Sequence, residues 1–268
     1  MFSRHYQTAI LTAKLLDIDV LDVVLDNYSI PAEKKDFLKL KVSQLEQGIP
    51  LDYLLEEVDF LDLKLKVTLD TLIPREETEY WVDKFKSLIS NEKDLDLAID
   101  LGTGSGMIGL SLAEIYDQVW LLDISHRALD VASENAKQNK IGNVQLLQTD
   151  GLDDKFIQRL SKYNPKQWHL IANLPYLPES DKVFAEEYRV LYEPDLALYS
   201  GDDGLKLYRQ VIAQIQSIAN KPTITVWELD PRNIHDADIL LNKMNYETTI
   251  WKDNNDVDRV LIGCLAEN

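Results

Sequence analysis

Asn173, Leu174, Pro175 and Tyr176 directly follow the apolar run Trp168-His-Leu-Ile-Ala172, so a strand-like segment ends on an amide, a rigid imino acid and an aromatic ring. The Asn173 side-chain carbonyl and the Leu174 main-chain carbonyl can both accept from an NH2 group. Pro175 fixes the backbone between them and Tyr176 offers a flat face for stacking. Such a clamp suits a planar amino group, either a carboxamide or the exocyclic amine of adenine. An amide nitrogen is a poor nucleophile because its lone pair is delocalised into the carbonyl. Two acceptors on its hydrogens raise its electron density and align it with an electrophilic carbon, so that positioning and electrostatics supply most of the catalysis. No general base is required, since the proton can leave after transfer. The competing assignment is a plain chain turn.

A second constellation lies upstream, in Asp100-Leu-Gly-Thr-Gly-Ser-Gly-Met-Ile-Gly109. Gly102, Thr103, Gly104, Ser105 and Gly106 form a loop in which glycines allow a sharp turn and close approach to a ligand, with a helix start behind it. Asp123 ends the next apolar run, where a carboxylate can accept from both ribose hydroxyls. Together they call for a nucleoside-bearing cofactor. Residues 104–109 also satisfy the dinucleotide pattern GxGxxG, so the loop alone does not separate a nicotinamide dinucleotide from S-adenosylmethionine. Asp150 and Gly151 close a third run and add a contact on the adenine side, unless they form a simple Asp-Gly turn.

These residues need a frame. The first fifty residues space apolar groups helically (Ala9, Ile10, Ala13, Leu16, then Leu21, Val24, Leu25), and Ser29-Ile-Pro31 predicts an N-cap opening a third helix that ends near Gly48-Ile-Pro50. Residues 58–67 alternate apolar and polar as a half-exposed strand or hairpin. From residue 73 onward, short apolar runs at 97–101, 119–123, 144–147, 169–172 and 223–227 alternate with helical segments at 108–115, 125–139, near Phe156 and at 205–219. That pattern predicts a parallel sheet covered on both faces. Residues 247–251 and 259–265 lie too close for a crossover and predict an antiparallel hairpin. The division expected is a helical unit over 1–50, a linking strand or hairpin over 51–72 and a catalytic domain over 73–268.

Composition narrows the function. The chain has 268 residues, 45% hydrophobic and 28% charged, enough for a substantial core without an apolar stretch that spans a membrane. No secretory signal pattern opens it, and its single cysteine, Cys264, reads as a buried strand thiol, so a cytoplasmic location is expected. A net charge of −18 repels a phosphate backbone, and the basic grouping Lys34, Lys35, Lys39 and Lys41 reads as a solvated helix face. His5, His126, His169 and His235 are scattered without ligand spacing, so no metal is expected, and His169 reads as a core histidine. Tyr188, Tyr192, Tyr199, Trp227 and Trp251 read as core or rim aromatics.

The chain resembles the HemK/PrmC family of peptide chain release factor glutamine methyltransferases over nearly its whole length. The resemblance is carried by Gly48-Ile-Pro50 and Tyr53, by Leu72-Ile-Pro-Arg-Glu-Glu-Thr-Glu79, by the glycine loop, and by Asn173 to Tyr176. It continues in Glu193-Pro-Asp-Leu-Ala197, Gly201-Asp-Asp-Gly204 with Tyr208, and Asp256-Val-Asp-Arg-Val260. It implies an α/β fold, a seven-stranded Rossmann-like class I methyltransferase domain with a small N-terminal helical domain. It further implies a monomer using S-adenosylmethionine, with S-adenosylhomocysteine as product, and a release factor as protein substrate methylated on the N5 of its Gly-Gly-Gln glutamine, with no direct nucleic-acid binding and no membrane. By that resemblance Asn173, Leu174, Pro175 and Tyr176 hold the glutamine, the glycine loop, Asp123, Asp150, Gly151 and Asn173 hold the cofactor, and Arg75 and Glu79 shape the substrate site.

Leu174 replaces the family's first proline, and Asp230 and Asn233 stand where the family tends to have Gly and Gln. Asn-Leu-Pro-Tyr is also the form in rRNA adenine dimethyltransferases, so an rRNA adenine-N6 methyltransferase is the second assignment. An NAD-dependent oxidoreductase is the third, and a noncatalytic binding module is the non-enzymatic one.

Overall fold

A computed structural model describes residues 3–92, 94–185 and 190–266; Tyr188 lies outside them. The chain opens with α1 (Arg4–Leu16), α2 (Val20–Val24), α3 (Lys35–Glu46) and α4 (Leu51–Leu55). The side chains of Ser3 and Asp19 accept from the backbone N–H groups of Tyr6 and Leu21, capping α1 and α2. Leu11, Leu45 and Leu54 bury a small core of their own. The predicted Ser29 cap does not form: Pro31 instead opens a 3-10 turn (Ala32–Lys34) with no side-chain cap, and α3 starts directly after it. Two of the four lysines grouped here are tied to helix ends, Lys34 donating to the Leu15 carbonyl and Lys41 to that of Leu54. Such bonds satisfy carbonyls that a helix C-terminus leaves unpaired.

The alternating segment folds as the antiparallel hairpin β1 (Glu57–Phe60) and β2 (Leu63–Lys66). The sequence reading gave no helix between this hairpin and the first strand of the main sheet, yet α5 (Glu76–Ile89) fills that place. Its acidic first turn suits the helix N-terminus, and Trp81, Val82, Phe85 and Ile89 recur on one face, which is fully buried.

Then follow β3 (Leu97–Leu101), α6 (Met107–Leu112), β4 (Gln118–Asp123), α7 (His126–Gln138), β5 (Val144–Gln148), α8 (Asp154–Tyr163) and β6 (Trp168–Ala172). After two 3-10 turns come α9 (Lys206–Ser217), β7 (Ile224–Glu228), α10 (Ile234–Asn242), β8 (Tyr246–Lys252) and β9 (Asp258–Leu265). The sheet runs β5-β4-β3-β6-β7-β9-β8, parallel except for β9, which pairs antiparallel with both neighbours. One hydrophobic cluster fills each face, Trp120, Phe156, Trp168 and Trp227 on one and Trp81, Phe85, Leu121 and Ile171 on the other. This is the expected α/β architecture. Cys264 departs from expectation: it lies near the end of β9, beyond the covered stretch Val260, Leu261 and Ile262, and is exposed. His169 is buried as expected, and its Nδ1 lies 2.6 Å from the Tyr116 hydroxyl. Burial lowers its pKa to about 4, so it is neutral. Among the described residues no helix is long and apolar enough to cross a membrane.

Candidate active site

Strand order reverses between β3 and β6, and in an open parallel sheet ligands bind beyond the carboxyl ends of the strands at that point. The register there is level: Leu101 pairs with Leu122 on one side and with Ala172 on the other, and Ala172 pairs with Trp227. One residue further along each strand stand Asp123, Gly102, Asn173 and Glu228. A single row along the sheet edge therefore carries a carboxylate, a glycine, an amide and a second carboxylate.

The glycine loop is built by hydrogen bonds to this row. Gly102, Gly104 and Gly106 all have left-handed φ (72°, 55° and 86°), which only glycine adopts without strain. The Gly104 N–H donates to Asp123 Oδ2 at 3.0 Å and the Ser125 N–H to Asp123 Oδ1 at 2.8 Å, so the Asp123 carboxyl is held in place. Burial raises the Asp123 pKa, and these bonds act against that rise. Behind the loop, Asp100 Oδ2 accepts from Thr103 Oγ1 at 2.7 Å and from the Gly109 N–H at 2.8 Å. Burial outweighs these bonds and pushes the Asp100 pKa up to about 6.

A cavity of about 220 Å³ lies over the loop, lined by Gly102, Thr103, Gly104, Ser105, Asp123 and Asn173, and closed by segments around Thr71 and Leu196. A side chain at Gly104 would meet nothing within 4 Å, and Ser105 Oγ is buried without a partner among the described residues. Open space beside a glycine backbone, a free hydroxyl and an oriented carboxylate fit the ribose and amino-acid groups of a nucleoside cofactor. A second cavity, of about 460 Å³, is lined by Arg75, Asn173, Tyr176, Asp230, Arg232 and Arg259, among others. Asn173 lines both, as do Leu72 and Ala197.

Glu228 organises the clamp from behind. Its Oε2 accepts from Trp81 Nε1 at 2.6 Å and Thr78 Oγ1 at 2.7 Å, and its Oε1 accepts from the Tyr176 hydroxyl at 3.3 Å. Asn173 Nδ2 lies 3.4 Å from Thr78 Oγ1. Burial raises the Glu228 pKa, opposed by Trp81, Thr78 and nearby Arg259. The Tyr176 phenol is likewise pushed up by burial and by Glu228, so it stays protonated. Leu174 reaches over the glycine loop: a Cβ on Gly102 would meet its Cδ2 at 2.7 Å. Asn233 donates from Nδ2 to the carbonyls of Tyr176 and Asp203, and Gly204 packs so closely that a Cβ would meet Tyr176 O at 2.0 Å. The departure at Asn233 thus serves as a bracket for the clamp's backbone.

Other residues singled out from the sequence are placed elsewhere. Arg75 donates from Nη2 to both oxygens of buried Glu193 (2.6 and 2.7 Å) and borders both the second cavity and a cleft of about 1200 Å³ beside the helical unit. Glu79 accepts from the Leu61 N–H at 2.6 Å, bracing the β1–β2 turn, and faces that same cleft. Asp150 is exposed, accepts from Gln210 at 2.9 Å, and with Gly151 lies outside the residues lining the loop cavity. Thr78, Trp81 and Glu228 are the polar group that sequence reasoning missed. The available signal was that Glu228 ends an apolar run just as Asp123 does.

A methyltransferase-domain family matches residues 92–237. The release factor glutamine methyltransferase of Mycoplasma mycoides is 34% identical over 89% of this chain and 85% of its own length. That of Bacillus subtilis is 32% identical over 86% of this chain and 80% of its own length. Among solved structures, the hMettl16 catalytic domain in complex with MAT2A 3'UTR hairpin 1 superposes with a TM-score of 0.59 at 14% identity, covering 81% of this chain and 79% of that one, a likeness of fold alone. At these identities and coverages the chain belongs to the release factor glutamine methyltransferase family.

Proposed function

We propose that this chain transfers a methyl group from S-adenosylmethionine to the side-chain amide N5 of the glutamine in the Gly-Gly-Gln loop of a peptide chain release factor. The observation that carries this assignment is that two cavities, one over the glycine loop and one beside Tyr176, meet at Asn173. The names of the relatives supply the substrate, and the acidic charge speaks against a phosphate-backbone substrate.

Residues 102–105 and Asp123 hold the cofactor, the Asp123 carboxyl being already aimed by two backbone N–H groups. When bound, S-adenosylmethionine supplies an electrophilic methyl carbon whose bond to sulfur breaks toward sulfur, leaving the thioether S-adenosylhomocysteine. Asn173 Oδ1 and the Leu174 carbonyl accept the two hydrogens of the glutamine NH2, which turns the nitrogen lone pair toward the methyl carbon. Tyr176 flanks the amide. Once the N–C bond has formed the nitrogen is acidic, and its proton passes to water. Most of the rate gain is positional and electrostatic. Residues 1–50 and the cleft lined by Gln7, Leu45, Asp52, Glu76 and Glu79 receive the body of the release factor, residues 51–72 link the units, and residues 73–268 carry out the transfer.

The test is tritium transfer from labelled S-adenosylmethionine to a purified release factor, to the same factor with its Gly-Gly-Gln glutamine changed to alanine, and to 16S rRNA. Label is expected on the intact factor alone, and Asn173→Ala is expected to lower the rate on the order of 10²- to 10³-fold. Label on rRNA would sink the assignment.

A further inference from the structure

Resting on the glutamine assignment, we propose that Glu228, acting through Thr78, is a positioning residue that fixes which end of the Asn173 amide faces the methyl acceptor. An asparagine side chain can present either its oxygen or its NH2 to a cavity, and only the oxygen can accept from a glutamine NH2. Turned the wrong way, Asn173 would set N–H against N–H.

The hydrogen-bond chain allows one direction only. Trp81 Nε1 can only donate, so Glu228 Oε2, 2.6 Å away, accepts from it. With that oxygen carrying no proton, Thr78 Oγ1, 2.7 Å away, donates its single proton to it. With that proton committed, Thr78 can only accept from Asn173, which draws Nδ2 inward at 3.4 Å and leaves Oδ1 for the acceptor. The other oxygen, Oε1, accepts from the Tyr176 hydroxyl at 3.3 Å, so both carboxylate oxygens serve as acceptors. Thr78 and Trp81 are fully buried and Glu228 is 3% exposed, so water does not compete for these bonds. The level register of β6 and β7 keeps Glu228 beside Asn173, and α5 supplies both donors.

The experiment compares Thr78→Val, Thr78→Ser and Glu228→Gln with the wild type. The readouts are kcat for methyl transfer to a release factor, the Kd for S-adenosylmethionine by calorimetry, and the urea midpoint. Thr78→Val keeps the shape but removes the acceptor for Asn173, and kcat is expected to fall roughly 10- to 100-fold with Kd unchanged. Thr78→Ser is expected to keep kcat within about 3-fold, and Glu228→Gln likewise, because one oxygen still accepts from both donors. Full activity in Thr78→Val would overturn the relay. So would equal losses in the valine and serine variants, a Kd that rises as kcat falls, or a large loss in Glu228→Gln, which would mean that charge rather than hydrogen bonding matters. If Thr78→Val does not fold, Thr78→Ala takes its place with the same expectation and the same criteria. A wild-type protein that methylates no release factor takes down the glutamine assignment and this proposal with it, whereas an active wild type with an active valine variant removes the relay alone.

Discussion

Asp100 is 1% exposed, and of its two oxygens only Oδ2 has partners among the described residues. A carboxyl without full compensation favours its neutral form, which is why its pKa rises to about 6 from 3.8. The sign of the consequence follows from proton counting. Between those two values the folded chain holds a proton that the unfolded chain has released, so Asp100's contribution is fully present below pH 4. It is lost as pH rises through 6. The expected loss is on the order of 3 kcal/mol across that window. Other carboxyls titrate there too, so the measurement is the difference in unfolding free energy between wild type and Asp100→Asn at several pH values. A difference that stays flat from pH 4 to 7 would show that Asp100 is not perturbed. At this scale the sequence was informative where a residue declares its chemistry alone: Asp123 and Asn173 each end an apolar run on a polar group. Glu228 also ends one, but its meaning comes from Thr78 and Trp81, 150 and 147 positions away, which no local pattern reveals.

The strands of the sheet were legible because β3, β4 and β6 are short apolar runs bounded by turns, as strands buried on both faces must be. Helix α5 is not, because its first turn is acidic and follows Ile-Pro-Arg, and its apolar face of Trp81, Val82, Phe85 and Ile89 is confined to the later turns. That helix packs with one cluster of the core and also delivers two donors to the site. Trp81 joins both tasks, since its ring is fully buried and its Nε1 satisfies a buried carboxyl. Trp81→Phe keeps most of the apolar area and removes the donor, leaving Glu228 Oε2 with Thr78 alone. The expected cost is about 1–3 kcal/mol of stability, with a further rise in the Glu228 pKa. Urea unfolding at pH 8 reads the first effect. Because a protonated Glu228 escapes part of the penalty, the deficit is expected to shrink toward pH 5. A deficit independent of pH would assign the loss to packing.

For the molecule as a whole, the net charge of −18 and the alternation of strands and helices gave the class of the protein, but not how its parts are tied together. Those ties combine an apolar cluster of Tyr53, Val67 and Ile73 with single polar contacts between distant segments. The Tyr53 hydroxyl, on α4, donates to the Thr71 carbonyl at 2.6 Å, and the Tyr192 hydroxyl donates to the Gln47 carbonyl at 3.0 Å, so that the opening helices are tied to segments near the cavities. Arg75 and Glu193 make the charged tie, joining the head of α5 to the segment that begins Glu193-Pro194 and lines the loop cavity. Burial raises the Glu193 pKa while the guanidinium pulls it back. With the Glu193 side chain at 0% and that of Arg75 at 35% exposure, the carboxyl depends on the arginine more than the reverse. Arg75→Ala would leave a buried, unpaired carboxyl. The cost expected is about 2 kcal/mol, below the roughly 3–5 of a fully buried pair because Arg75 is partly hydrated. Adding Glu193→Gln removes the stranded charge, so the double variant is expected to be more stable than Arg75→Ala alone. Chemical denaturation of the wild type, both single variants and the double variant gives the coupling directly. If Arg75→Ala unfolds at the wild-type midpoint yet loses methyl transfer, the arginine acts on substrate in the cavity it borders, and its bond to Glu193 serves to aim it rather than to hold the fold.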